Sequence, residues 1–207
     1  MNRNSYRALA LASGLVVYSL TAGLELPGRR HPVVQASLGT GLALATRAPL
    51  GLRPGGLRSG LRWGGAAAGA VAAGVAVTTA VPSVRTAMRD RELPASPVQW
   101  LAFEIPLGTV WSEEMAFRAA LGTAAATAFG HRGGALLQAA AFGLSHIHDA
   151  RASGEPVAGT VLVTGLAGWA FGWLAGRSGS VLAPVLAHLA INEAGAIAAL
   201  VVQRRSG

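Results

Sequence analysis

Seven stretches of the chain are apolar for nearly the length that crosses a bilayer: near residues 8–26, 33–48, 63–82, 98–128, 133–147, 156–176 and 181–202. A helix needs about 20 apolar residues to span hydrocarbon, where every backbone polar group must find its partner within the protein. The expected fold is all-α, a polytopic membrane helix bundle of about seven transmembrane helices. The short second and fifth runs widen the count to six to eight. The fourth run carries Pro106 and is expected to begin with an interfacial piece and then kink. The first run follows Arg3 and Arg7, and "SLTAG" faintly resembles a cleavage site. Its length and the spans that follow favour an uncleaved first helix over a signal peptide.

Composition points the same way. Hydrophobic residues make up 52% of the 207, charged residues only 13%, and mean hydropathy is +0.45, against roughly 25% charged in soluble domains. The net charge of +8 does not indicate nucleic acid, because the arginines are scattered between apolar runs as membrane-flank charges. Cysteine is absent, which excludes disulfides, thiolate metal sites and a cysteine nucleophile. "RAPLGLRPGGLRSGLRW" (47–63) is rich in Gly, Pro and Arg and reads as a cytoplasmic loop. With Arg118 set aside, however, the arginines divide evenly between the two sides, so orientation stays open. Gly168, Gly172 and Gly176 stand four apart, with Gly165 beside them. This small-residue stripe reads as helix packing, and Trp169 and Trp173 as packing residues or interface anchors.

Ionisable side chains near a bilayer centre cost roughly 2.5–3.5 kcal/mol on insertion scales and usually mark a site. Glu104, Glu113, Glu114, Arg118, His146, His188, Asn192 and Glu193 fall inside the apolar runs. Consecutive helical residues point about 100° apart, so Glu113 and Glu114 cannot share one task. Glu114 and Arg118 are four apart on one face and can form an ion pair that offsets part of their burial cost. Glu113 is then free for chemistry; the bland alternative is that all three flank a helix at the membrane surface. Phe142 and His146 are also four apart, while His148 and Asp149 are expected in a loop. In "SVLAPVLAHLAIN" Pro184 suits a first helical turn, and His188 and Asn192 again share one stripe. One polar pair could be helix–helix glue, but three clusters on three helices are harder to explain that way.

Glu-Glu-x-x-x-Arg at 113–118, Phe-x-x-x-His at 142–146 and His-x-x-x-Asn at 188–192, with Ser180 and Pro184 ahead of the last, resemble the signature of the CPBP intramembrane proteases. That family includes the type 2 CAAX prenyl endopeptidases and bacteriocin-immunity-related bacterial members. The resemblance covers about residues 98–202. It implies a protease core there, with accessory helices at about 8–82, within a single integral membrane domain over 1–207. It further implies that Glu113 and His146 position and activate a water, that His188 and Asn192 bind the oxyanion, and that Glu114, Arg118 and Phe142 support the site. The family is filed as metalloproteases. A divalent metal, zinc, held by Glu113, His146 and His188 therefore stands beside direct activation by glutamate, although no His-Glu-x-x-His helix is present. The expected partners are the lipid bilayer and a protein or peptide substrate in or near it, in a bacterial plasma membrane; prenylated substrates are not carried over. Two other readings are a proton-coupled transporter, against which no repeated halves are visible, and a non-catalytic immunity or binding protein, against which the motif positions stand intact.

Overall fold

The computed structural model describes residues 2–24 and 26–205, and every regular element among them is helical. Helices α1 (Arg3–Leu20), α2 (Pro32–Ala45) and α3 (Pro54–Thr78) run up and down, followed by the short α4 (Pro82–Asp90). A one-turn α5 (Pro97–Gln99) opens the long fourth pass, which continues through two π-helical stretches, Trp100–Trp111 and Glu114–Leu121. Helix α6 (Gly122–Ser145) carries the chain on, but Gly130 at φ 70°, ψ 175° breaks it into two arms. That conformation suits glycine, and it lets the chain reverse so that 131–145 forms the fifth pass. The short α7 (Ile147–Ser153), then α8 (Val157–Ser178) and α9 (Leu182–Arg204), complete the bundle.

Two polar contacts tie separate elements together. The Val181 N–H donates to the Leu50 carbonyl at 3.0 Å, joining the α2–α3 loop to the start of α9. The Gln203 amide donates to the carbonyls of Met88, Arg89 and Arg91 at 3.1, 3.2 and 2.7 Å and closes the end of α4.

Small residues set how closely the helices approach. Helix α3 lies along α9, where a Cβ on Gly64 would come within 2.8 Å of the Ala183 backbone. The fifth pass lies against α8. A Cβ on Gly143 would stand 2.5 Å from the Val161 carbonyl oxygen, and one on Gly168 would stand 2.8 Å from the Phe142 ring. The Gly165–Gly172 part of the stripe therefore packs helix against helix, as its spacing implied; Gly176 meets no neighbour. The outward faces are apolar. Leu162, Val163 and Leu166 of α8 are 64%, 65% and 60% exposed, a surface that hydrocarbon tolerates and water does not. Helices α3, α8 and α9 are each long and apolar enough to cross a membrane. Trp173 meets Trp63 edge-on at 5.7 Å, with Arg177 over the Trp63 ring.

Three expectations need correction. The arginine-rich stretch 47–63 is a loop only as far as Arg53, because Pro54 starts α3 at its first helical position and packing on α9 offsets the weak helix propensity of its glycines. Pro106 lies inside one continuous π-helical stretch, Trp100–Trp111, and not at a join between an interfacial piece and a span. His148 and Asp149 are helical, in α7 rather than a loop.

The close approach at Gly143 gives a direct test. Gly143→Val is expected to lower stability by about 1–3 kcal/mol through overpacking, read as a lower melting temperature in detergent. Gly69→Val, where a Cβ meets nothing within 4 Å, should leave the melting temperature nearly unchanged.

Candidate active site

The fourth pass supplies three charges, and the π-helical stretch carries two of them inward. Glu114 is 0% exposed, and Arg118 grips it with two parallel bonds, Nε to Oε2 and Nη2 to Oε1, both 2.7 Å. The pair predicted from the i, i+4 spacing is thus present, bidentate and fully enclosed. Aromatic rings close around it. The Arg118 guanidinium lies 4.0 Å from the Phe142 ring centroid and 5.2 Å from that of Phe171, where the ring faces favour a cation.

His188 of α9 completes this cluster. Its Nδ1 is 2.8 Å from Glu114 Oε1. Because Glu114 is held as a carboxylate by Arg118, it can only accept, so Nδ1 carries the proton. His188 stacks on Phe171 at 4.9 Å and 24°, and Phe142 stands edge-on to it at 6.1 Å. The ring is therefore fixed by a bond and two aromatic contacts. Its other nitrogen, Nε2, is turned toward Glu113, 4.0 Å from Oε2. That Oε2 is buried and has no hydrogen-bond partner among the described residues.

Glu113 sits between the two π-helical stretches and lines a cavity of about 620 Å³ with His146. His146 lies at the junction of α6 and α7, where its Nδ1 is 2.8 Å from the Phe142 carbonyl oxygen. A carbonyl can only accept, so this nitrogen also bears the proton and Nε2 keeps its lone pair. The ring packs edge-on to Phe142 at 4.8 Å. Phe142 thus touches Arg118, His146 and His188, which explains its place in the sequence pattern.

Among the described residues, the others singled out from the sequence make no hydrogen bond or ion pair to the side chains of this centre. Asn192 is half-buried, and its amide donates to the carbonyl of His188, one turn earlier, at 3.2 Å. Glu104 accepts from the Gln99 amide at 3.0 Å near the start of the fourth pass. Glu193 is half-buried on α9. Asp149, Gln35, Arg29 and Arg30 were not singled out as site residues from the sequence, yet they line the same cavity as Glu113. Gln35 carried a readable signal, as a lone amide near the start of an apolar run.

The expected zinc ligands do not assemble. Among the described residues no three His, Asp or Glu side chains form a group that could hold a metal ion. His188 and His146 each hold a hydrogen bond at Nδ1, to Glu114 and to the Phe142 carbonyl, and leave Nε2 facing the site. The misfit to the metal assignment lies in the placing of Glu113, His146 and His188, which do not converge as a metal-holding group, and no step in the proposed mechanism runs through a metal.

Removing one partner of a buried pair leaves a naked charge, which costs about 3–5 kcal/mol. Arg118→Ala should therefore reduce folded yield and lower the melting temperature in detergent. A parent-like melting temperature would show that the pair does not support the fold.

Residues 95–194 match the family model described as Type II CAAX prenyl endopeptidase Rce1-like. No curated protein and no solved structure matches the chain. The matched segment runs from the start of the fourth pass to just beyond Asn192 and contains all three motifs. The match supports a protease. The chain therefore carries, from residue 95 to residue 194 of a helical membrane bundle, a segment of the type II CAAX prenyl endopeptidase Rce1-like family.

Proposed function

We propose that this protein is an intramembrane endopeptidase that hydrolyses a peptide bond of a membrane-associated protein or peptide. The observation that carries the reading is the buried, unpartnered Oε2 of Glu113, 4.0 Å from His188 Nε2 and on the same cavity as His146. A buried acceptor without a partner is costly, and a water or a substrate group would satisfy it.

In this mechanism Glu113 takes a proton from a water that His146 helps to position, and the water oxygen attacks the scissile carbonyl. His188 already donates its Nδ1–H as a hydrogen bond to the Glu114 carboxylate. Its Nε2 must therefore receive the proton from Glu113 before it can donate to the oxyanion. The Glu114 carboxylate, enclosed beside it, stabilises the imidazolium so formed. Asn192 has a second amide N–H besides the one on the His188 carbonyl, and this N–H serves the oxyanion once the substrate is bound. When the C–N bond breaks, His188 returns its proton to the departing amine, and the new acid releases its own to Glu113. Glu114 and Arg118 act through His188 and do not touch the substrate. The setting is a bacterial plasma membrane, with the bilayer and a polypeptide substrate as partners and no nucleic acid.

The test uses purified protein in liposomes with a reporter that carries one membrane-spanning segment. Glu113→Gln and His146→Ala should each lower cleavage by about 10² or more with the melting temperature unchanged. Parent-like cleavage by both variants would overturn the assignment.

A further inference from the structure

The cavity that holds Glu113 and His146 is only half built from the family-matched segment. Its other wall comes from α1 and α2, which lie outside residues 95–194. The two helices scarcely touch each other. Helix α1 packs on α6, and α2 packs on the π-helical stretches. A Cβ on Gly39 would come within 2.5 Å of the Ser112 carbonyl oxygen, which seats α2 directly beside Glu113. Across the gap a Cβ on Gly14 of α1 would meet nothing within 4 Å. Leu38 on the α2 side is 51% exposed, and Tyr18 on the α1 side is 39% exposed. The cavity is thus a cleft between α1 and α2, with exposed side chains on both sides, that reaches the candidate catalytic carboxylate. Arg29 fastens one lip by donating to the carbonyls of Tyr18 and Thr21 at the end of α1.

The lining also identifies the kind of occupant. Its volume of about 620 Å³ falls within the roughly 300–1,000 Å³ of ligand-binding clefts. A lipid tail would need only apolar walls, yet this cleft carries hydrogen-bonding groups among its leucines. The Gln35 amide lines it and has no hydrogen-bond partner among the described residues, and Thr109 and Ser112 lie on the facing pass, with the Ser112 hydroxyl donating to the carbonyls of Gly108 and Thr109. Polypeptide must unwind before its peptide bond can be attacked, and inside a membrane each freed backbone group then needs a partner. We propose that an unwound, apolar polypeptide segment passes from the lipid through the α1–α2 cleft to Glu113, with the Gln35 amide satisfying one of its backbone groups. This proposal rests on the endopeptidase reading and assigns substrate selection to α1 and α2.

The chain has no cysteine, so a single introduced thiol reports on one place. Gly14→Cys is modified with a bulky apolar maleimide, with Leu162→Cys on the outer face of α8 as control. Two probes are compared: a reporter with one membrane-spanning segment, and a water-soluble peptide with the same scissile sequence. The modified Gly14→Cys protein should lose about tenfold or more of its cleavage of the spanning reporter and keep soluble-peptide cleavage; the control should keep both. Loss of neither activity, or equal loss of both, would overturn the cleft as the route. Gln35→Leu should lower kcat/KM for the spanning reporter on the order of tenfold, and an unchanged value would remove the assigned role of Gln35. A nitroxide on Gly14→Cys gives a readout without substrate. Relaxation by lipid-soluble oxygen, and little by a water-soluble nickel chelate, is expected. The reverse would overturn the lipid route while leaving the hydrolase reading standing, whereas a parent protein that cuts neither probe would overturn the hydrolase reading itself.

Discussion

An enclosed ion pair is the constraint on which the rest of the site depends. Glu114 and Arg118 are on one pass, one turn apart, and neither side chain reaches solvent. Such a pair costs less the more of its polar atoms are satisfied and the less room its surroundings leave for rearrangement; Arg118 Nη1 is buried with no hydrogen-bond partner among the described residues and rests against aromatic rings instead. His188 takes up a further acceptor position on Glu114, while Phe142 and Phe171 close over the guanidinium. Three passes are thereby locked to the fourth through one charged cluster. A by-product of that locking is chemical: the imidazole held by Glu114 has one nitrogen spoken for and presents the other to Glu113. Stability and site geometry are, in this molecule, consequences of the same four or five side chains.

Adjacent glutamates do opposite things because neighbouring helical positions face different surroundings. Glu114 turns into the aromatic cluster and is fully paired, whereas Glu113 turns to the cavity, partly exposed, with one oxygen unpartnered. The seam between two π-helical stretches lies at this point, and such local widenings are frequent at functional sites. The cavity then needs walls, and the chain supplies them from its N-terminal helices. Close seating of Gly39 on the Ser112 backbone, with the Trp111 indole N–H donating to the Thr40 hydroxyl at 3.0 Å beside it, fixes α2 relative to Glu113.

Much of this was legible in the sequence because hydrocarbon leaves few choices. All seven apolar runs correspond to helical passes, and the Glu114–Arg118 bond follows from spacing alone. Packing along Gly165, Gly168 and Gly172 was readable for the same reason. The rest depended on tertiary contacts that no local pattern encodes. Helix α3 begins at Pro54 because α9 lies against its glycines, a fact absent from the stretch 47–63 itself. The bond from His188 to Glu114 joins residues 74 positions apart, so the tautomer could not be inferred. Asn192 shares a stripe with His188 as expected, yet its amide rests on the backbone of its own helix. Gln35 and Asp149 were missed because nothing in the chain's order announces that α1, α2 and α7 border one cavity.

The central claim is that the Glu113 cluster breaks peptide bonds inside the membrane. Its most direct measurement is a comparison of new polypeptide termini, by mass spectrometry of the membrane fraction, between cells bearing the native chain and cells bearing Glu113→Gln at equal abundance. The account predicts a defined set of internal termini, within or beside apolar segments, that are present with the native chain and missing with Glu113→Gln. Identical sets of termini in the two membranes would contradict it.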